Sequence, residues 1–327
     1  MNESKRARVF VFKLTILFFV CYFCWYLYIL LFPMFYNMQN NNRWYFLRQS
    51  LNNNITIPES DILFLGDSRV NAGIDFNQIN NCYSLAEGGT TSIEIFYMLK
   101  KYLVFHKTPK TIFLSISPRF QGELFSFYPY CVRNDFFTFS EFHEITSNLG
   151  KNDTTLGKYP NVEFLLNKFR WIPYYQGDVY KNYGFFGYSL NKAKIAEMVQ
   201  LKGASFHEGL LDSCSLPNYE TRYKNHKISP ILDLYFDKIF RLCEQNNIEL
   251  IFDFMPMNKS SFQKLNTIFV SEYKKYMLKY SKKYPKFCIS DTVYFYDDVY
   301  FGDESHLNSK GKEIFTYYLK TKYFYSK

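Results

Sequence analysis

The sequence predicts an α/β fold with a mainly parallel sheet, one apolar helix before it and a long insertion within it. Short apolar runs alternate with segments in which apolar residues recur every three or four positions, which is typical of buried strands alternating with amphipathic helices. An apolar stretch long enough to cross a membrane precedes all of them. With 327 residues, the chain is expected to form one globular domain behind a membrane anchor.

The apolar stretch covers residues 14–35 and can cross a hydrocarbon layer of roughly 30 Å as a helix. A cleavable signal peptide is the alternative, but its apolar core would be about 7–15 residues long and end at small residues. Four basic residues precede the stretch and the next is Arg43, so the positive-inside rule places residues 1–13 in the cytoplasm. We expect a polar stalk over 36–58, in which 44–51 could form a short helix at the membrane surface.

The globular domain is expected to cover residues 59–327, outside the cytoplasm. Apolar runs bounded by polar residues, glycine or proline indicate its strands, and apolar positions at helical spacing indicate its helices. The predicted strands cover 61–65, 111–116, 248–255 and 287–290, and the predicted helices begin at Ser92, which we expect to be the cap, after Pro230, and at Ser309.

Residues 121–229 do not follow this alternation and are rich in tyrosine and phenylalanine, notably at 171–175 and 183–188. We interpret them as an insertion that forms a cap or a docking surface. The alternative is ordinary packing with aromatic core residues.

Composition and motifs exclude several classes of protein. Aromatic residues make up 21% and hydrophobic residues 47% of the chain, which a disordered segment would not show. The charge of +9 is spread as isolated lysines, which suits either a solvated surface or attraction to anionic polymers. Because the number of cysteines is odd, the seven cannot all form disulfides within the chain. The usual zinc, nucleotide and nicotinamide motifs are absent from the sequence. We expect no cofactor and no nucleic acid.

Residues 66–68 read Gly-Asp-Ser and follow the first predicted strand directly. Ser68 would therefore stand at a strand-to-helix turn, with its hydroxyl exposed and its backbone N–H available to an oxyanion. The motif is short, and the alternative is that Ser68 or Asp67 only caps the helix.

Asp303 and His306 precede the last predicted helix and are three residues apart in a loop. A carboxylate can orient an imidazole through one ring nitrogen while the other accepts a serine proton, so His306 is a candidate base for Ser68. A surface histidine is the alternative. A metal site would need further ligands such as Asp297 or Asp298, whose spacing is not that of metal ligands, so we expect none.

Residues 66–68, 85–89 and 303–308 resemble the sequence blocks of SGNH (GDSL-like) hydrolases, in the usual order, over the chain from 61 to 318. The resemblance implies a flavodoxin-like three-layer sandwich.

It also implies a role for each matched residue. Ser68 would be the nucleophile, Asp303 and His306 would complete its triad, and Gly88 or Gly89 would add an oxyanion N–H to that of Ser68.

The third block departs from the family, which usually has an asparagine after the next strand. Residues 115–119 read Ser-Ile-Ser-Pro-Arg here, so Ser117 and Arg119 are the nearby polar candidates for a third oxyanion donor. Loss of one such donor costs about 10²–10³ in rate unless another group substitutes.

This departure, with an N-terminal anchor, resembles the envelope-modifying branch of the family, which includes polysaccharide O-acetyltransferases and the D-alanine-transfer protein of teichoic acids. Those proteins work beside a multi-span membrane-bound O-acyltransferase. The resemblance implies a membrane-anchored acyltransferase or esterase, with a donor of acyl groups, here acetyl, and an envelope glycan as acceptor. The alternative is a non-catalytic assembly protein that binds a membrane complex.

Overall fold

A five-stranded parallel sheet forms the centre of the fold. The computed structural model describes residues 3–31, 41–169, 187–204 and 225–324. The strands are β1 (Ile62–Gly66), β2 (Cys82–Ser84), β3 (Thr111–Ser115), β4 (Glu249–Phe252), β5 (Met257–Asn258), β6 (Cys288–Ile289) and β7 (Phe295–Tyr296). In the main sheet their order is β2-β1-β3-β4-β6 and every neighbouring pair is parallel, while β5 and β7 form a separate parallel pair. The predicted mainly parallel α/β class is confirmed.

Helices cover both faces of this sheet. Alternate residues of β1 lie in different apolar clusters: Leu63 and Leu65 in the larger one, Phe64 in the smaller one. Such two-sided burial explains why the strands are continuous apolar runs. The helices are α1 (Glu3–Leu31), α2 (Asn41–Leu51), α3 (Ser68–Gly73), α4 (Ser92–Phe105), α5 (Phe139–Ser147), α6 (Pro160–Lys168), α7 (Gly187–Gln200), α8 (Pro230–Gln245), α9 (Lys259–Gln263), α10 (Thr267–Lys283) and α11 (Ser309–Leu319).

The cap of α4 is Thr91 and not Ser92 as predicted. The Thr91 hydroxyl accepts the N–H of Ile93, and the Glu94 carboxylate accepts the N–H of Thr91 in return. This reciprocal arrangement satisfies donors that the first turn of a helix leaves open. The Ser92 hydroxyl instead donates to the carbonyl of Leu232 at 2.6 Å, which joins α4 to α8.

Helix α1 is long and apolar enough to serve as a membrane span or a signal sequence. The apolar part covers Ser4–Leu27, and its side chains are exposed or at most half-buried. The helix begins earlier than the predicted span of 14–35, and residues 32–35 lie outside the described part of the chain.

Helix α2 belongs to the globular domain. Its side chains Trp44, Phe46, Leu47 and Leu51 are at most 1% exposed and lie in the larger apolar cluster. The predicted stalk over 36–58 is therefore wrong for residues 41–51, because four large apolar side chains pack into the core. Residues 36–40 lie outside the described part.

The described part of 121–229 packs into the same core. Phe127, Phe137, Phe142 and Phe164 are buried there, and the Phe142 and Phe164 rings stack at 3.9 Å between centroids. For these residues, ordinary packing with aromatic core residues is confirmed. Residues 171–175 and most of 183–188 lie outside the described residues.

We expect Trp44→Ala to lower the free energy of unfolding by about 3–5 kcal/mol, because it removes a large buried side chain and leaves a cavity. Chemical denaturation of the full chain in detergent measures this. Val104→Ala is the control, since Val104 is 68% exposed. Equal stability of the two variants would contradict the assignment of α2 to the core.

Candidate active site

The turn that carries Ser68 is fixed by a glycine. Gly66 ends β1 with φ of 149°, and a Cβ there would lie 2.2 Å from the carbonyl oxygen of Ser115 on β3. Only glycine allows β1 and β3 to approach this closely at this backbone conformation. After Asp67, Ser68 is the first residue of α3, at the carboxyl end of β1.

Asp67 is the cap of α3, so Ser68 is not. The buried Asp67 carboxylate accepts the N–H of Arg69 at 2.9 Å and the N–H of Ser117 at 2.8 Å. Burial raises the pKa of Asp67, while Arg69 and these N–H groups act to lower it. Asp67 thereby joins the Ser68 turn to the turn that follows β3.

Ser68, His306 and Asp303 form one hydrogen-bonded chain. The Nε2 atom of His306 lies 2.8 Å from the Oγ atom of Ser68, and its Nδ1 atom lies 2.8 Å from the Oδ2 atom of Asp303. When Nδ1 carries the proton and donates to Asp303, Nε2 can accept the proton of Ser68. The structure thus brings together three residues that the sequence separates by up to 238 positions.

Asp303 is held as an ionised carboxylate. Its other oxygen, Oδ1, accepts the backbone N–H groups of Ser305 and His306, each at 2.8 Å. Burial acts to raise the pKa of Asp303, but the hydrogen bonds and the attraction of His306 outweigh it and lower the pKa to about 2. At neutral pH this carboxylate can therefore orient and stabilise a protonated imidazole.

Asn258 supports the loop of Asp303 and His306, and the sequence analysis missed it. This fully buried amide donates to the carbonyl of Glu304 at 2.7 Å and accepts the N–H of Ser261 at 2.7 Å. It caps the short helix α9 and ties that helix to the loop. The capping role of Asn258 has a sequence signal, since asparagine is a common residue at a helix start. Its hydrogen bond to Glu304 has none, because the two residues meet only in the folded chain.

The turn at 85–90 lies beside Ser68. Two hydrogen bonds join this turn to the end of β1. The backbone N–H of Glu87 and the side-chain hydroxyl of Thr90 donate to the carbonyl of Gly66 at 2.9 and 2.8 Å, respectively. A Cβ on Gly88 would lie 3.8 Å from the Cβ of Ser68. Of the two predicted glycines, Gly88 is thus placed against Ser68.

Gly89, the other predicted glycine, lies against Phe125 and not against Ser68. Its φ of 70° is in the left-handed region, and a Cβ there would lie 2.6 Å from the ring of Phe125. Its carbonyl accepts the hydroxyl of Ser126 at 2.9 Å. Gly89 therefore shapes the turn and faces the Phe125 side chain.

The two candidates for a third donor lie after β3. The N–H of Ser117 is engaged by Asp67, as described above. The Arg119 guanidinium lies 5.7 Å from the ring centres of Phe120 and Phe125, and its Nε donates to Glu123 at 3.4 Å. Ser117 thus helps to hold the Ser68 turn, and Arg119 stands beside the ring that covers Gly89.

Asp297 and Asp298, the alternative metal ligands, make other contacts. Asp297 pairs with Lys259 at 3.0 Å, and Asp298 accepts the N–H of Ser260 at 2.9 Å. No group of three or more metal-ligating side chains occurs among the residues that the structure describes.

Comparison of the chain with models of known protein families and with curated proteins finds no match. The functional assignment therefore depends on the geometry of the site.

The lowered pKa of Asp303 makes a contribution to stability that depends on pH. A carboxyl with a pKa of about 2 in the folded chain, below its ordinary value of 3.8, stabilises the fold above pH 3.8. This contribution is lost as the pH falls toward 2. We therefore expect Asp303→Asn to be less stable than the wild type at pH 5–7 and the difference to shrink below pH 4, as measured by chemical denaturation.

Glu304→Gln is the control for this experiment, because it neutralises a neighbouring carboxylate outside the Ser68–His306–Asp303 chain. A difference between Asp303→Asn and the wild type that stays constant from pH 7 to pH 3 would contradict the assignment.

Proposed function

We propose that this chain is a membrane-anchored serine acyltransferase or esterase of the SGNH type. The observation that carries the proposal is the hydrogen-bonded chain from Ser68 through His306 to Asp303, with both ring nitrogens 2.8 Å from their partners. A serine hydroxyl is a weak nucleophile until a neighbouring base takes its proton, and this geometry supplies that base.

In the proposed reaction, Ser68 Oγ attacks the acyl carbonyl carbon while its proton passes to His306 Nε2. The negative charge on the carbonyl oxygen is stabilised by the N–H of Ser68 and that of Gly88. His306 then gives its proton to the leaving oxygen, and an acyl-enzyme remains. A glycan hydroxyl or water attacks this ester, with His306 as base, and Ser68 Oγ recovers the proton.

The sheet also supports the SGNH-type assignment. Counted along the chain, the five strands of the main sheet follow the order 2-1-3-4-5, which is the flavodoxin-like order. In such sheets ligands bind outside the carboxyl ends of the strands, where the order reverses between the first and third strands. Ser68 directly follows Asp67 at that point, next to the end of β3.

A substrate at the cell envelope follows from the position of the apolar helix. If α1 spans the membrane with its N-terminus in the cytoplasm, the globular domain lies outside. Leu31 ends α1, and Arg43 contacts the turn beside Ser68. Twelve residues extend at most about 43 Å, so the site stays close to the bilayer. We propose an acyl donor and an envelope glycan, with a membrane-bound O-acyltransferase as partner.

A non-catalytic assembly protein is the second candidate. It is favoured by the third block, where the N–H of Ser117 is bound to Asp67 and Arg119 donates to Glu123. With only two donors at the oxyanion, the site would be a weaker catalyst than an SGNH hydrolase with three.

A fluorophosphonate probe distinguishes the two candidates. We expect the full chain in detergent to form an adduct on Ser68, located by mass spectrometry. Ser68→Ala and His306→Ala should abolish it, and Asp303→Asn should slow it by roughly 10²–10⁴-fold, since the imidazole loses its orienting partner. Ser309→Ala is the matched control, because Ser309 is likewise the first residue of a helix.

An absence of adduct on folded wild-type protein would overturn the enzymatic proposal and favour the assembly role. If the adduct forms, acetyl-ester turnover with and without added envelope glycan separates the two reactions. Acetylated glycan indicates a transferase, and release of acetate alone indicates an esterase.

A further inference from the structure

Arg43 on helix α2 reaches the turn beside Ser68. Its Nε donates to the Glu87 carboxylate at 2.9 Å and its Nη2 to the carbonyl of Ala86 at 2.8 Å, while Nη1 donates to the carbonyl of Gly203. The side chain is only 3% exposed. Arg43 therefore uses its planar fork on three acceptors, two of which are consecutive residues of one turn.

This turn is held from two sides. Ala86 and Glu87 directly precede Gly88, the glycine that lies against Ser68. On one side the N–H of Glu87 donates to the carbonyl of Gly66, and on the other side Arg43 bonds Ala86 and the Glu87 side chain. The position of Gly88 thus depends both on the end of β1 and on helix α2.

Charge gives Arg43 a second effect on the site. Burial raises the pKa of Glu87 to about 7, and Arg43 together with the N–H of Gly88 acts against that rise. A carboxylate next to Gly88 would repel an oxyanion bound there, and the guanidinium neutralises this repulsion. Removing one partner of a buried ion pair leaves the other uncompensated, which is costly.

We propose that Arg43 is a positioning residue that ties helix α2 to the turn at residues 85–90 and so fixes Gly88, the candidate oxyanion donor, beside Ser68. The catalytic consequence rests on the proposed function, whereas the structural tie does not. A lysine has neither the planar fork nor the reach to three acceptors. By this proposal, the segment that follows the membrane anchor completes the active site.

Arg48 provides a matched control on the same helix. Its guanidinium donates to the carbonyl of Asn134 at 3.1 Å and pairs with Asp135 at 3.5 Å, away from the turn. Arg43→Met and Arg48→Met therefore each remove a charged side chain of α2 that bonds to a neighbouring segment, and only Arg43 contacts the turn at residues 85–90. Arg43→Lys is the conservative variant, which retains the charge without the fork.

Two measurements on the full chain in detergent test the proposal. The first is hydrogen–deuterium exchange of the peptide that covers residues 85–90. The second is the inactivation kinetics of a fluorophosphonate, which separates the chemical step, kinact, from the initial binding, KI. A merely structural loss changes the folded fraction, whereas a misplaced oxyanion donor lowers kinact at unchanged KI.

We expect Arg43→Met to lose exchange protection in residues 85–90 and to lower kinact by roughly 10–100-fold, because a small misplacement of a catalytic group has effects of that size. Arg43→Lys should recover part of kinact, and Arg48→Met should match the wild type in both measurements. Should Arg43→Met fail to fold, a decrease of kinact in Arg43→Lys alone supports the proposal.

Wild-type protection and wild-type kinact in both Arg43→Lys and Arg43→Met would overturn it. So would equal losses in Arg43→Met and Arg48→Met. If the wild type itself takes no fluorophosphonate, the proposed function fails, and exchange alone decides whether Arg43 holds the turn. Lost protection confined to Arg43→Met then supports the tie, and unchanged protection overturns it.

Discussion

The close approach of β1 and β3 at Gly66 is the constraint on which the site depends. No side chain fits there, because the carbonyl of Ser115 occupies the position of a Cβ. The carbonyl of Gly66 also accepts two donors from the turn at residues 85–90, the N–H of Glu87 and the hydroxyl of Thr90. Ser68 follows two residues later, so one backbone position aligns the candidate nucleophile with the turn that would bind the oxyanion.

Three carboxylates around this position have different tasks because their surroundings differ. Asp303 has a lowered pKa and accepts from His306, which suits a group that must stay charged. Asp67 is buried and accepts two backbone N–H groups, so it holds turns together. Glu87 has a raised pKa and faces Arg43. Burial acts to raise all three pKa values, and the donors that each carboxylate meets set the outcome.

Much of the fold could be predicted from the sequence, since it depends on local patterns, whereas joining Ser68 to His306 across 238 positions drew on the order of the SGNH-like sequence blocks. Apolar runs identified four strands of the main sheet to within three residues at each end. The spacing of Asp303 and His306 indicated their pairing, because three residues in a loop suffice to place both on one side. Asn258 could not be predicted, because its contact with Glu304 joins segments 46 residues apart.

Helix α2 shows why pattern alone failed before the first strand. Asparagines around residues 40–42 and 52–54 give this region the composition of a solvated linker. Trp44, Leu47 and Leu51 follow helical spacing, which indicated a helix but not that the helix packs into the core. Burial on several sides makes Trp44 and Leu47 core residues, and it also encloses Arg43. A charged residue is enclosed only when it is fully paired, and two of the three Arg43 acceptors, Ala86 and Glu87, directly precede Gly88. The segment that follows α1 is therefore part of the site's architecture, which its composition conceals.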